Sequence, residues 1–310
     1  MRFGIQTGQQ HRSYDEILSL WRTAERTGFS TAWLYDHLIP IGGALDGNVF
    51  EAYTMLSSLL ARTSSIRGGV LVTCVMYREP TVLAKMAATV DHVSNGRLEF
   101  GIGSCWNFWE ADQYGLPFPG LAERYERLNE AIEVISATWS GTAFEGRFYK
   151  QSAAAVAPAP VQRPRPPIWV GGNGKRIGPV AARYADGWNS IFMTFDEYRE
   201  HLTMVENACT SAGRDPATLR RSFGQRVVVE PTYEAAEERA RQMYEPHGAT
   251  FDDYVRDRVF FGAPSDVAEK IAPFRDAGVE EFILWHEPPM DDPRAEEQIE
   301  AFAETVAPLL

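Results

Sequence analysis

The chain has 310 residues, of which 45% are hydrophobic, 12% aromatic and 23% charged, a balance that excludes disordered and low-complexity classes. Its formal net charge is −12 at neutral pH, and no stripe of Lys and Arg reverses it locally, so nucleic acid and anionic membranes are excluded as expected partners. An anionic ligand remains compatible where backbone N–H groups and a few local cations hold it.

Along the first 140 residues a short apolar run, a polar turn, an amphipathic stretch and a glycine recur, which reads as βα repetition. Residues 3–8 are the first predicted strand. Ser13 and Glu16 form a capping box for a helix with Ile17, Leu20, Trp21 and Ala24 on one face, closed by Gly28. Strand two covers residues 31–36, a helix 51–62, and strand three 66–75. Pro80 suits the first turn of the next helix, which ends near Gly96. Strand four covers 97–103 and a helix 123–139. Residues 140–166, rich in proline and glycine, form a long excursion before strand five at 167–171. Strand six spans 187–193, a helix 195–212, and strand seven 220–230. Pro264 opens a helix that ends at Gly278, strand eight covers 282–286, and a last helix begins near Pro293. Residues 231–262 fit the alternation badly. Their aromatic cluster, Phe251, Tyr254, Phe260 and Phe261, is expected over the barrel mouth. Eight βα units in sequence suit a closed (β/α)8 TIM barrel, and one domain over residues 1–310, better than a doubly wound sheet.

Cys74, Cys105 and Cys209 are odd in number and contain no CxxC pair, which argues against a disulfide framework and a zinc cluster and for a reducing compartment. The six histidines include no HExxH, so no metal is expected. Neither a signal-peptide pattern nor a run of about 20 apolar residues is present, and a cytoplasmic protein is expected.

In such barrels the chemistry sits just after the strands. Strand two ends in Asp36-His37, which is compatible with proton transfer near neutral pH and equally with a rim histidine bonded to backbone. Strand five ends in Gly171-Gly172-Asn173-Gly174-Lys175-Arg176. That run offers free N–H groups and two cations to a phosphate, or is a tight turn; it is neither a Walker motif nor a GxGxxG fingerprint. Gly101-Ile102-Gly103 lets a backbone approach a flat ring, or makes a turn. No strand-end lysine or paired carboxylates support an aldolase or isomerase.

Together these pieces resemble the luciferase-like monooxygenase superfamily, in its branch of oxidoreductases that use the deazaflavin coenzyme F420. The resemblance covers residues 1–190 and rests on Phe3-Gly4-Ile5, Trp33-Leu34-Tyr35-Asp36-His37, Leu71-Val72-Thr73, Leu83-Ala84-Lys85-Met86-Ala87, Gly96-Arg97-Leu98-Glu99, Gly101-Ile102-Gly103, Trp106-Asn107, Pro167-Ile168-Trp169-Val170-Gly171-Gly172 and Ala185-Asp186-Gly187-Trp188-Asn189. It implies that His37 is the acid or base beside the cofactor ring and that Asp36 helps hold the ring. Val70, Leu71 and Thr73 would back it, with a non-proline cis bond between Val70 and Leu71. Cys105, Trp106 and Asn107 would lie beside it, Cys105 as a wall rather than a nucleophile, and Gly171, Gly172, Gly174, Lys175 and Arg176 would take the tail phosphate.

Relatives that oxidise a sugar phosphate carry Trp and Glu where Ile41 and Trp106 stand, so a more apolar substrate is implied. Its pocket would comprise Ile41, Trp106, Trp109, Trp188 and Phe192, although Trp188 also fits buried packing. The resemblance further implies a homodimer. The alternatives are a monooxygenase using reduced FMN and oxygen, and a non-catalytic flavin-binding carrier.

Overall fold

The computed structural model describes residues 1–152, 157–245, 255–286 and 293–310. Eight parallel strands close a barrel in chain order: β1 (Arg2–Gln6), β2 (Thr31–Leu34), β3 (Arg67–Cys74), β4 (Leu98–Gly103), β5 (Ile168–Gly171), β6 (Gly187–Ile191), β7 (Arg220–Val229) and β8 (Glu281–Trp285), which pairs back onto β1. Parallel neighbours need long crossovers, and helices supply them. They are α1 (Tyr14–Arg26), α2 (Ala52–Ala61), α3 (Pro80–Val93), α4 (Phe108–Gln113), α5 (Leu121–Ser140), α6 (Ile177–Tyr184), α7 (Phe195–Ser211), α8 (Tyr233–Tyr244), α9 (Pro264–Asp276) and α10 (Ala295–Ala301). None of the described helices is long and apolar enough to cross a membrane.

Local signals account for much of this. Ser13 and Glu16 make the expected capping box at α1, and Thr194 and Glu197 make a second at α7. Pro80 occupies the first turn of α3. The excursion before β5 contains a short antiparallel hairpin, Phe144–Glu145 with Lys150–Gln151. Residues 231–262 resisted the alternation because they insert one extra unit. After α8, the strand Val259–Gly262 pairs in parallel with the second half of β7. Phe260 and Phe261 belong to this strand and are buried, and Phe260 packs on Phe223, Phe274 and Phe282. This pair is therefore core rather than mouth cover, whereas Phe251 and Tyr254 lie outside the described residues.

The main core fills the space between barrel and helices, while Trp33, Leu71, Trp169 and Ile283 plug the barrel interior. At the N-terminal end the interior is polar. Glu99 pairs with Arg67 and accepts a 2.6 Å bond from the Trp169 indole. Glu281 is fully buried, and Thr31 donates to one of its oxygens at 3.0 Å while the other has no hydrogen-bond partner among the described residues.

Burial, opposed by Arg2 and reinforced by Glu99, pushes the Glu281 carboxyl up to about 7 from 4.5. A raised carboxyl stabilises the fold below its unfolded value, and that contribution is lost as pH rises through the folded one. Glu281→Gln, neutral throughout, should leave stability little changed near pH 4.5 and add on the order of 1–3 kcal/mol above about pH 7. Urea unfolding at about pH 5 and about pH 8 checks this. An equal gain at both values would contradict it.

Candidate active site

A cavity of about 440 Å³ opens at the C-terminal ends of the strands, where (β/α) barrels place their chemistry. Leu71 and Val72 form an apolar part of its wall and pack on Trp33, Trp169 and Ile283. The pairing of β3 with β4 slips between Val70 and Thr73, which resets the alternation and turns two successive side chains inward. The cis bond joins Leu71 to Val72, one residue beyond the expected Val70–Leu71 bond. Val70 instead packs in the outer core, and Thr73 is buried with its hydroxyl 2.8 Å from that of Tyr53. Neither lines the cavity.

Gly103, expected to allow close backbone approach to a ring, and Gly171, expected at the tail phosphate, share a specific neighbour. A Cβ on Gly103 would meet Val72 Cγ2 at 2.6 Å, and one on Gly171 would meet Val72 Cγ1 at 2.8 Å. They leave the slot that lets Val72 project into the barrel.

His37 lines the cavity at the end of β2. Its Nδ1 lies 2.8 Å from Glu110, and the Tyr77 hydroxyl donates to the same carboxylate oxygen at 2.6 Å. The second oxygen accepts from the Leu38 N–H and, at 3.2 Å, from the Ile39 N–H. Glu110 comes from the first turn of α4 and has no exposed surface. Burial raises its pKa, but hydrogen bonds from His37, Tyr77 and Leu38 and the His37 charge together hold it below the ordinary value. Burial and the adjacent Glu110 raise that of Tyr77. An ionised Glu110 accepts a hydrogen bond from the Nδ1–H, which leaves His37 Nε2 as the ring nitrogen available to cavity contents. Tyr35 and Trp106 meet the ring edge to face at centroid distances of 5.0 and 5.5 Å.

Asp36 also lines the cavity, but its carboxylate is committed elsewhere. It receives two bonds from Arg78, at 2.6 and 2.9 Å, and one from the Cys74 N–H at 2.9 Å. It frames the wall at the β2–β3 junction.

Cys74 and Cys105, both lining the cavity, form a disulfide, leaving Cys209 buried and free. This corrects the expectation drawn from an odd, widely spaced set of cysteines. Cys74 ends β3, where it pairs in register with Gly103 of β4, so 31 residues of sequence separation collapse to adjacent strand ends. Cys105 has φ 64°, which turns the chain back towards Cys74.

Of the remaining predicted residues, Ile41, Trp106, Asn107, Gly171, Gly172 and Phe192 line the cavity. Phe192, at φ 54°, directly follows β6 and packs its ring 4.9 Å from Trp285. Trp188 has the opposite phase to Asn189 and Ile191. It is fully buried, stacked on Tyr198 at 5.9 Å, and is core rather than pocket. Trp109 is 69% exposed on α4, outside the cavity. Lys175 and Arg176 line a separate groove of about 330 Å³ beside α5 and α6. Tyr125 borders both spaces, and a Cβ on Gly174 would lie 3.5 Å from its hydroxyl.

Sequence reasoning missed Glu110, Tyr77 and Tyr125 as well as Cys74. Only an acidic residue in a helical first turn after a strand end marked Glu110.

Residues 1–289 match the family model for luciferase-like monooxygenases. The chain belongs to this family. It is 30% identical over 246 residues to the F420-dependent glucose-6-phosphate dehydrogenase of Microbacterium testaceum, covering 78% of this chain and 72% of that protein. It is 26% identical to the FMNH(2)-dependent dimethylsulfone monooxygenase of Pseudomonas putida, covering 94% of this chain and 86% of that protein. Among solved structures, the coenzyme F420 dependent tetrahydromethanopterin reductase of Methanopyrus kandleri superposes with a TM-score of 0.84 at 23% identity, covering 99% of this chain and 98% of that one. At that identity the likeness speaks to the fold.

Proposed function

We propose that this member of the luciferase-like monooxygenase family is a coenzyme F420-dependent oxidoreductase that moves a hydride to or from a small, largely apolar organic molecule. The observation that carries the reading is the His37–Glu110 pair set in the wall of a deep cavity at the strand ends. A general acid or base must reach the cavity with a fixed tautomer, and this pair supplies both.

The residues present fit a flat ring with an anionic tail. Leu71 and Val72 offer an apolar backing, and the glycine slot around Val72 keeps that backing deep in the barrel. Gly171 and Gly172 lead from the cavity towards Lys175 and Arg176 on the adjoining groove, so an acidic protein can still hold a phosphate locally. When bound, the deazaflavin supplies a carbon centre that gives or accepts a hydride. His37 Nε2 would then take or return the proton of the reacting alcohol or carbonyl. Glu110 and Tyr77 keep that imidazole oriented. Ile41, Phe192 and Trp106 would seat the apolar part of the substrate and exclude water from it.

The second reading, a monooxygenase using reduced FMN and oxygen, is favoured by the likeness to the dimethylsulfone monooxygenase. The built His37–Glu110–Tyr77 network speaks against a carrier that only stores a flavin. Two assays separate the readings: oxygen-free reduction of F420 with a panel of apolar secondary alcohols, and oxygen uptake with supplied reduced FMN. Our reading expects turnover in the first and only background in the second. Substrate-coupled oxygen uptake with no F420 turnover would overturn it.

A further inference from the structure

We infer that Cys74 and Cys105 are a thiol–disulfide modification site that clamps the cavity wall, so that reducing the bond loosens the segment Ser104–Asn107 and weakens ring binding. The part concerning the ring rests on the proposed cofactor reading; the clamp does not. One side of the bond is fixed independently, because the Cys74 N–H is held by Asp36, which Arg78 locks in turn. The other side is not. Cys105 lies two residues beyond the end of β4 and sits at φ 64°, a left-handed conformation that residues other than glycine and asparagine adopt reluctantly. Its carbonyl accepts one bond, 3.2 Å from Arg124. The covalent tie to β3 adds a second restraint on that turn.

The consequences run directly into the site. Trp106, next in the chain, meets His37 edge to face, and Asn107 immediately precedes the helix whose first turn carries Glu110. Releasing Cys105 lets its backbone leave the left-handed region, which moves the Trp106 ring and the start of α4 together. Cys105 is partly exposed beside the cavity, so a small dithiol has a sulfur to attack. The reaction balances as an exchange. The dithiol gives up two electrons and two protons and closes to its own cyclic disulfide, while Cys74 and Cys105 become two thiols.

The test uses the full chain in two states, oxidised with diamide and reduced with dithiothreitol. Alkylation and mass spectrometry of the unfolded protein should count one free thiol in the first state and three in the second. Without any cofactor, amide hydrogen exchange over residues 112–116, whose N–H groups are bonded within and just after α4, should quicken at least roughly tenfold on reduction, while β1 and β2 stay unchanged. F420 affinity, read by fluorescence titration with FMN as a second probe, should fall by about tenfold on reduction. A variant carrying both Cys74→Ser and Cys105→Ser should match the reduced protein and ignore dithiothreitol. Three free thiols after diamide, or unchanged exchange over 112–116, overturns the clamp. Faster exchange with equal affinity in both states overturns its control of binding. If neither F420 nor FMN binds in either state, the cofactor reading fails, and the exchange result alone decides the clamp.

Discussion

Replacing His37 by alanine is expected to lower kcat by roughly 10²- to 10⁴-fold, the range that a positioned acid or base contributes, while cofactor affinity changes only a few-fold. The asymmetry follows from where the proposed ring would sit. His37 lines the cavity, but the apolar backing would come from Leu71 and Val72 and the tail region from Gly171 onward, while the imidazole itself meets Glu110, Tyr35 and Trp106. The loss should appear in turnover at saturating substrate, because an interaction made with the transferring proton matters most in the transition state. Titration of the variant with F420 and a single-turnover measurement separate the two effects. A variant that lost binding and kept its chemical rate would reassign His37 to the cavity frame.

Glu110→Gln should cost kcat roughly 10²- to 10³-fold with KM little affected, although it removes a group that touches nothing in the cavity. One carboxylate oxygen faces His37 Nδ1 and the Tyr77 hydroxyl, and the other faces the N–H groups of Leu38 and Ile39. Both are surrounded by donors, so an amide nitrogen has no good place. Turned towards Leu38 and Ile39, it sets donor against donor. Turned towards His37, it forces Nδ1 to accept and puts the proton on Nε2, the wrong tautomer for a base facing the cavity. The Glu110→Asp variant retains two acceptors on a shorter arm and should recover part of the rate. A loss of Tm in step with the loss of rate, with no recovery in the aspartate variant, would mean that Glu110 only holds the fold together.

Much of the barrel was legible because its signals are local. The Ser13–Glu16 capping box, Pro80 at a helix start and the apolar runs between them located the βα units within a residue or two of their observed bounds. What stayed hidden depends on contacts between distant segments. Glu110 meets His37 across 73 positions, and the Cys74–Cys105 bond appears only once β3 and β4 lie side by side. Val70 and Thr73 were expected at the ring from the resemblance, whereas the slip in β3 turns Leu71 and Val72 to the same side and so breaks the period of two on which face assignments rest. Trp188 was recoverable: Asn189 and Ile191 share the inner face of β6, and strict alternation turns Trp188 outward.

The central claim is that this cavity holds a deazaflavin ring against His37. Equilibrium titration of the purified protein with F420, followed by ring fluorescence in the absence of oxygen, tests it most directly. We predict saturable binding in the micromolar range, about −8 kcal/mol, with one ring per chain and with binding lost in Leu71→Trp, whose larger side chain would fill the cavity from the same wall. No saturable binding of F420 under conditions where FMN binds would contradict the claim.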